Sequence, residues 1–218
     1  MSSRPAAGGG RWVEVDPGRV ARWVEGFADR HGQPSVTTEA YGLLLAAPDG
    51  ATAELHAPPG APAAADVPAF VAGATAPRRL GLLLARKGGV AVGIADGAEL
   101  VVSKVDTRYV QGRTAAGGWS QQRFARRRDN QTKAALGDAA ELAVRLLMPQ
   151  VTTLAALVCG GDRRAVDTVL ADRRLAPLAA LRADRLLDVP EPRHAVLVSA
   201  IAAARAVHVL VREPAPRR

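Results

Sequence analysis

Apolar residues first recur at three- and four-residue spacing at Val20, Trp23, Val24 and Phe27, which predicts a helix with one apolar face. Asp16-Pro17 opens it, a carboxylate in the N-cap position followed by proline at the first helical position, and Gly32 and Pro34 end it. Two strand-like runs follow, Val36 to Ala46 and Ala51 to Ala57, joined by the hairpin dipeptide Asp49-Gly50. The Pro- and Ala-rich stretch from Pro58 to Pro68 reads as a loop or linker.

From Arg78 the pattern becomes a meander. Arg79 to Lys87, Val90 to Ala95 and Glu99 to Asp106 read as three short strands, with turns at Gly88-Gly89 and Asp96-Gly97. Gly112 to Gly118 interrupts regular structure. A long helix is then predicted from about Ser120 to Met148, stopped by Pro149, with Phe124, Ala135, Ala139, Leu142 and Leu146 on one face. Leu154 to Cys159 reads as a strand, Gly160-Gly161 as a turn, and Asp162 as the N-cap of a helix to about Arg173. A short strand at Leu186 to Val189, a helix from Glu191 to Arg205 and a strand from Ala206 to Val211 complete the chain. This order predicts an α/β fold, one mixed sheet with flanking helices, preceded by a small N-terminal α+β extension. The expected divisions are a disordered tail at 1–10, a helix-and-hairpin segment at 11–68, an α/β domain at 78–212 and a second tail at 213–218. The segment 11–68 stands apart or joins 78–212 in one compact unit.

Composition narrows the class. Of 218 residues, 48% are hydrophobic and 23% charged, a globular balance that excludes disorder along the whole chain. Apolar stretches such as Ala195 to Ala204 fall well short of the roughly 20 residues that span a bilayer. The first ten residues lack the apolar core of a signal peptide, so a cytoplasmic protein with no membrane partner is expected. The single Cys159 leaves no intramolecular disulfide and no cysteine-based zinc site, and among apolar neighbours it reads as a buried, inert thiol. His31, His56, His194 and His208 lie scattered without metal-ligand spacing, and His208 reads as a core or edge residue. Asp96, Glu99 and Asp106 form no convincing acidic triad, so neither metal nor cofactor is expected. Trp12, Trp23, Phe27 and Phe70 read as packing residues.

Charge adds a partner. Arg108, Arg113, Arg123, Arg126, Arg127, Arg128 and Lys133 stand against Asp129 alone between positions 108 and 133, so this segment carries +6 of the net +8. Such concentration points to a polyanion, nucleic acid first. Within the first half of the long helix Phe124 is the only large apolar residue, and the arginines point in four directions. Such a segment projects into solvent or docks on something charged. The junction Gly117-Gly118-Trp119-Ser120-Gln121 joins a Gly-rich loop to the start of that helix, where free N–H groups favour anions and developing oxyanions. A glutamine amide there is no general base, but its carbonyl accepts from a water. Trp119, beside two glycines in a polar loop, reads as a residue that stacks on a base or ribose.

Gly117-Gly118-X-Ser120-X-X-Arg123-Phe124-Ala125-Arg126-X-Arg128 resembles the catalytic-loop signature of eukaryotic and archaeal class-one peptide-chain release factors. In that family Gly-Gly-Gln-Ser precedes an Arg-Phe-Ala-Arg-X-Arg helix; here Trp119 occupies the glutamine position. The related Vms-like release factors of ribosome quality control use Gly-X-X-Gln instead, which Gly118-Trp119-Ser120-Gln121 matches, with Gln122 directly behind. Leu157 to Gly161 is similar to the strand and glycines that succeed the catalytic helix, and the likeness spans about Arg78 to Val211.

The resemblance implies an RNase H-like release-factor catalytic domain and a cytoplasmic, ribosome-dependent peptidyl-tRNA hydrolase of ribosome quality control. Gln121 would place the attacking water, and Gly118, Trp119 and Ser120 would complete the catalytic loop. Arg113, Arg123, Arg126, Arg127, Arg128 and Lys133 would hold RNA. The expected partners are large-subunit RNA and peptidyl-tRNA, with the protein a monomer. Two other readings stay open, a non-catalytic ribosome- or tRNA-binding module and an enzyme that cleaves the tRNA 3′ end.

Overall fold

Strands from both ends of the chain pair into one sheet. The computed structural model describes residues 3–86, 89–107 and 136–214. The chain divides into two units, residues 1–77 with 202–218, and residues 78–201.

In the first unit, β1 (Ser3–Pro5), β2 (Arg11–Val15), β3 (Ser35–Glu39), β4 (Gly42–Ala46), β5 (Thr52–His56) and β11 (Val207–Arg212) form an antiparallel sheet in the order β1-β2-β11-β5-β4-β3. Alternation puts Val13, Val15, Leu43, Leu45, Ala53, Leu55, Val207, Val209 and Val211 on one face. Two helices cover that face, α1 (Val20–His31) through Val20 and Phe27 and α2 (Val67–Thr75) through Phe70 and Ala74. Asp16 accepts from the Gly18 N–H at 2.9 Å ahead of a 3-10 turn that feeds α1, and Gly32 ends α1 at a φ of 85°. Phe27 and Phe70 pack as expected.

Several expectations for this unit change. The proposed tail at 1–10 contains β1, paired to β2. The run 36–46 is two strands folded at Ala40-Tyr41, where Gly42 adopts a φ of 143° with the Leu55 carbonyl too close for a side chain. Helix α2 was hidden behind the proline-rich stretch. Asp66 caps it, accepting from the Ala69 N–H at 2.7 Å, and Pro68 sits in its first turn, where a missing N–H costs nothing.

The second unit holds β6 (Arg79–Arg86), β7 (Gly89–Asp96), β8 (Glu99–Thr107), β9 (Ala156–Gly161) and β10 (Arg182–Leu187), in the order β10-β9-β6-β7-β8. The first three form an antiparallel meander; β9 runs parallel to β6 and β10 parallel to β9. Helix α3, described over residues 136–147, and α4 (Arg163–Leu170) pack on one face. Ala139, Leu142, Ala143 and Leu147 of α3 meet Leu83, Val92, Ile94, Leu157 and Cys159 from the strands in one cluster. Burying each large aliphatic side chain there contributes about 1.5–3 kcal/mol. Helix α5 (His194–Arg205) places Leu197 over Gly93, on the opposite face. Pro149 cannot donate the next helical hydrogen bond, and the chain continues as a 3-10 segment at Met148–Thr153.

The mixed α/β architecture stands, with two corrections to its wiring. The final strand, β11, lies between β2 and β5 in the first unit's sheet and not beside the strands at 78–187. Its apolar Val-X-Val-X-Val alternation fits either sheet; only the long-range pairing decides. Gly160 and Gly161 are the last two residues of β9 and not a turn, pairing with Leu84 and Ala85. The turn comes after them, where Asp162 donates its N–H to the Ala85 carbonyl and caps α4 by accepting from the Arg164 N–H.

Candidate functional site

Strands β6, β8, β9 and β10 all run in one direction, so Arg86, Thr107, Gly161 and Leu187 end on the same edge of the second sheet. Thr107 pairs with Gly89, Gly89 pairs with Arg86, and Ala85 pairs with Gly161. At about 4.8 Å between neighbouring strands, Thr107 lies about 10 Å from Arg86 and about 14 Å from the end of β9. The segment that carries the expected chemistry follows directly on Thr107, and the described fold resumes at residue 136 in α3. Carboxyl ends of strands are where open α/β sheets gather their functional loops.

Gly118, Trp119, Ser120, Gln121 and Gln122 lie outside the described residues, as do Arg108, Arg113, Arg123, Arg126, Arg127, Arg128 and Lys133. The described residues at the edge add cations that the sequence reading did not single out. Arg86 donates to the Val189 carbonyl at 2.8 Å and lays its stem beside Gly161. Arg163 and Arg164, exposed in the first turn of α4, make no ion pair among the described residues. Cations at a helix N-terminus oppose the helix dipole, so these two gain nothing from α4 itself. Their signal in the sequence was a pair of arginines directly after the Asp162 cap. Three other arginines of this unit are ion-paired: Arg79 with Asp96 at 2.9 Å, Arg182 with Asp167 at 2.6 Å, and Arg174 with both Asp172 and Glu141 at 2.7 Å. The Arg174 hydrogen bonds hold the Asp172 carboxyl at a pKa of about 2.

Cys159 is fully buried in the core cluster, where desolvation pushes its thiol up to about 12. It is a packing residue with no nucleophile at neutral pH.

The first unit gathers residues that looked scattered. His208 faces His56 across β11 and β5 and Glu14 across β11 and β2. Tyr41 stacks on His56 with centroids 4.4 Å apart, and Trp12 meets the same ring edge-on at 4.9 Å. His56 Nε2 lies 3.4 Å from Glu54, which also pairs with Arg212. Burial alone would raise the Glu54 carboxyl, but the Arg212 and His56 contacts outweigh it and hold the pKa below its ordinary value. His208 thus sits on a central strand with Nε2 3.5 Å from Glu14. Each imidazole turns to its own glutamate, and among the described residues no three His, Cys, Asp or Glu side chains are placed to share a metal ion.

Among solved structures, the crystal structure of the archaeal translation termination factor aRF1 matches over 58% of this chain and 36% of that one, at 18% identity and a TM-score of 0.42. A structure described as an archaeal protein matches over 74% of this chain and 52% of that one, at 16% identity and a TM-score of 0.38. This chain thus spans about a third to a half of the length of those structures. No curated protein matches. No helix among the described residues is long and apolar enough to cross a membrane. The family model described as actinobacteria/chloroflexi VLRF1 release factor matches residues 78–210, all of the second unit and most of β11. Because that match covers more than half of the chain and includes the glycine-rich and arginine-rich stretches at 112–133, the protein belongs to the actinobacteria/chloroflexi VLRF1 release factor family.

Proposed function

We propose that this protein is a peptidyl-tRNA hydrolase that frees nascent chains from tRNA on stalled large ribosomal subunits. The observation that carries the reading is the release-factor family match across residues 78–210, within which Gly118-Trp119-Ser120-Gln121 supplies the Gly-X-X-Gln pattern. The position of Thr107, the residue before this segment, at the carboxyl edge of the sheet supports it.

The Gln121 side-chain carbonyl accepts a hydrogen bond from a water and aims its oxygen at the ester carbonyl carbon of peptidyl-tRNA. As that C–O bond forms, negative charge develops on the ester carbonyl oxygen, which backbone N–H groups around Gly118 to Gln121 stabilise. The bond to the ribose 3′ oxygen then breaks, one of the water's protons passes to that oxygen, and the other leaves to solvent as the new carboxyl group ionises. The products are a free chain carboxylate and a tRNA with an intact 3′ end. The chemistry draws on water, one amide side chain and backbone donors. Arg113, Arg123, Arg126, Arg127, Arg128 and Lys133 grip ribosomal RNA and the acceptor stem through phosphates, which position without specifying sequence. Arg86, Arg163 and Arg164 extend that cationic edge. Trp119 stacks on a base or ribose near the ester. The protein acts in the cytoplasm as a monomer.

Mapping tRNA 3′ ends after incubation with peptidyl-tRNA-loaded large subunits tests the reading. Released peptide with full-length tRNA is the expected result. Shortened tRNA would make the protein a nuclease, and unreleased peptide with bound protein would make it a binding module.

A further inference from the structure

We infer that His31 is a proton-operated latch: when its imidazole is charged, it fastens the end of β11 to the β4–β5 turn and to α1. This goes beyond the hydrolase reading and does not depend on it. Among the described residues β11 alone joins the β1-β2 pair to β5, β4 and β3, so the first unit's sheet is continuous only through that strand. Three segments meet at the ring. His31 is the last residue of α1, and its side chain is only 11% exposed. Gly32, directly behind it, lies against the β4–β5 turn, where a Cβ would come within 2.7 Å of Pro48 Cγ. Pro214, two residues past β11, lies by the same turn, 3.9 Å from where a Gly50 Cβ would stand. His31 Nδ1 is 2.8 Å from Asp49 Oδ2 on that turn, and Nε2 is 3.7 Å from Glu213 Oε2 beyond the strand end. The Phe27 ring backs the imidazole, centroid to centroid 4.8 Å. From β2, Arg11 reaches the other Glu213 oxygen at 3.2 Å, and Arg30 lays its guanidinium over Gly26, one turn back along α1.

The chemistry of the ring makes this arrangement depend on a proton. An imidazolium has an N–H on both nitrogens, so it serves the two carboxylates at once. A neutral ring has one N–H, which the shorter Asp49 contact claims. The bare Nε2 then turns a lone pair to the Glu213 carboxylate, and attraction becomes repulsion. Asp49 stays ionised throughout, because the Ala51 N–H and, after it, the His31 ring hold its carboxyl below the ordinary aspartate range. The carbonyl end of α1 favours the charged ring as well. Deprotonation therefore deprives Glu213 of one of its two cations and leaves Arg11 as the other. The latch is closed while the ring is charged and loosens as pH rises through the ring's titration.

The test is NMR on the full chain between roughly pH 5.5 and 8.5, a window in which imidazoles titrate while carboxylates and guanidinium groups keep their charge. In one sample, the His31 Cε1 proton shift reports the charge on the ring, and the heteronuclear NOE of the Glu213 amide reports order at the strand end. The NOE should fall as pH rises, with the same midpoint as the ring. The ratio of latched to released chain end should drop about 1.4- to 5-fold, the weight of one exposed ion pair. His31→Gln, which never carries the charge, should make the NOE independent of pH. Glu213→Gln should do the same while the ring still titrates. Its side chain is 56% exposed, so this variant keeps the fold and decides the matter if His31→Gln does not. A flat NOE in the parent, an NOE that rises with pH, or a transition that persists in Glu213→Gln or in folded His31→Gln would each overturn the proposal.

Discussion

Replacing Gly161 with alanine probes how closely the carboxyl edge of the second sheet is built. Gly161 has a φ of 95°, and a Cβ there would lie 2.4 Å from the Ala85 carbonyl oxygen and 2.9 Å from Arg86 Cγ. The arginine stem can swing aside, but the Ala85 carbonyl is held by the Asp162 N–H at 2.8 Å. The left-handed backbone costs an alanine roughly 1–2 kcal/mol. Displacing the carbonyl weakens a hydrogen bond worth about 1 kcal/mol, for a total of about 2–3 kcal/mol. Gly50 provides the control: its φ is also 95°, but the nearest atom to a Cβ is Pro214 Cβ at 3.9 Å. Gly50→Ala therefore reports the backbone cost alone. For a chain of this length each kcal/mol shifts Tm by about 2–4 °C, so Gly161→Ala should melt about 4–12 °C below the parent. Its loss should exceed that of Gly50→Ala by about 1 kcal/mol in urea titrations. Equal losses for the two variants would refute the close approach of β9 to β6 at this edge.

The Cys159 thiol, held up at about 12 by burial, should not react with a disulfide reagent at pH 8 until the protein unfolds. Because the folded state keeps this proton longer than the unfolded chain, stability should fall as pH rises from roughly 8.5 toward 12, measurable as declining urea midpoints. Asp172 should titrate near pH 2 by carboxyl NMR, its contribution to stability present above the ordinary aspartate range and lost as pH falls through 2; Arg174→Ala should move that titration up toward roughly pH 4. Ending the chain at residue 205 removes β11 from between β2 and β5, so residues 3–77 should lose protease resistance and sheet signal together. Replacing Arg126, Arg127 and Arg128 together by alanine should flatten the salt dependence of large-subunit binding by about 2–3 units of log–log slope with Tm nearly unchanged; a lower Tm with an unaltered slope would make them structural.

Local chemistry was legible in the sequence wherever a short pattern has one solution. The Asp16 and Asp162 caps, the Asp49-Gly50 and Asp96-Gly97 turns and the three meander strands follow from side chains a few residues apart. Long-range pairing was not legible. Val207, Val209 and Val211 alternate equally well for either sheet, and nothing local says that β11 joins β2 and β5. Gly160-Gly161 shows the converse failure. Two glycines read as a turn because most turns need them, whereas here Leu84 and Leu187 crowd Gly160 and the Ala85 carbonyl crowds Gly161. His56 and His208, 152 positions apart, become neighbours only through that same pairing. For the candidate site, the proposed chemistry rests on the order and spacing of residues 117–128, which are read from the sequence. The fold adds where that segment is anchored, with the cations Arg86, Arg163 and Arg164 on the same edge.

Single-turnover peptide release from purified stalled large subunits, comparing Gln121→Ala with Gln122→Ala, bears most directly on the proposed water-positioning role of Gln121. Loss of one preorganised transition-state contact predicts a fall of roughly 10²–10³ in the release rate for Gln121→Ala, with subunit binding retained. Gln122→Ala should stay close to the parent, since adjacent positions of the helix expected from the sequence point about 100° apart. Full release by Gln121→Ala would contradict the account, whichever way the Gln122 variant behaves.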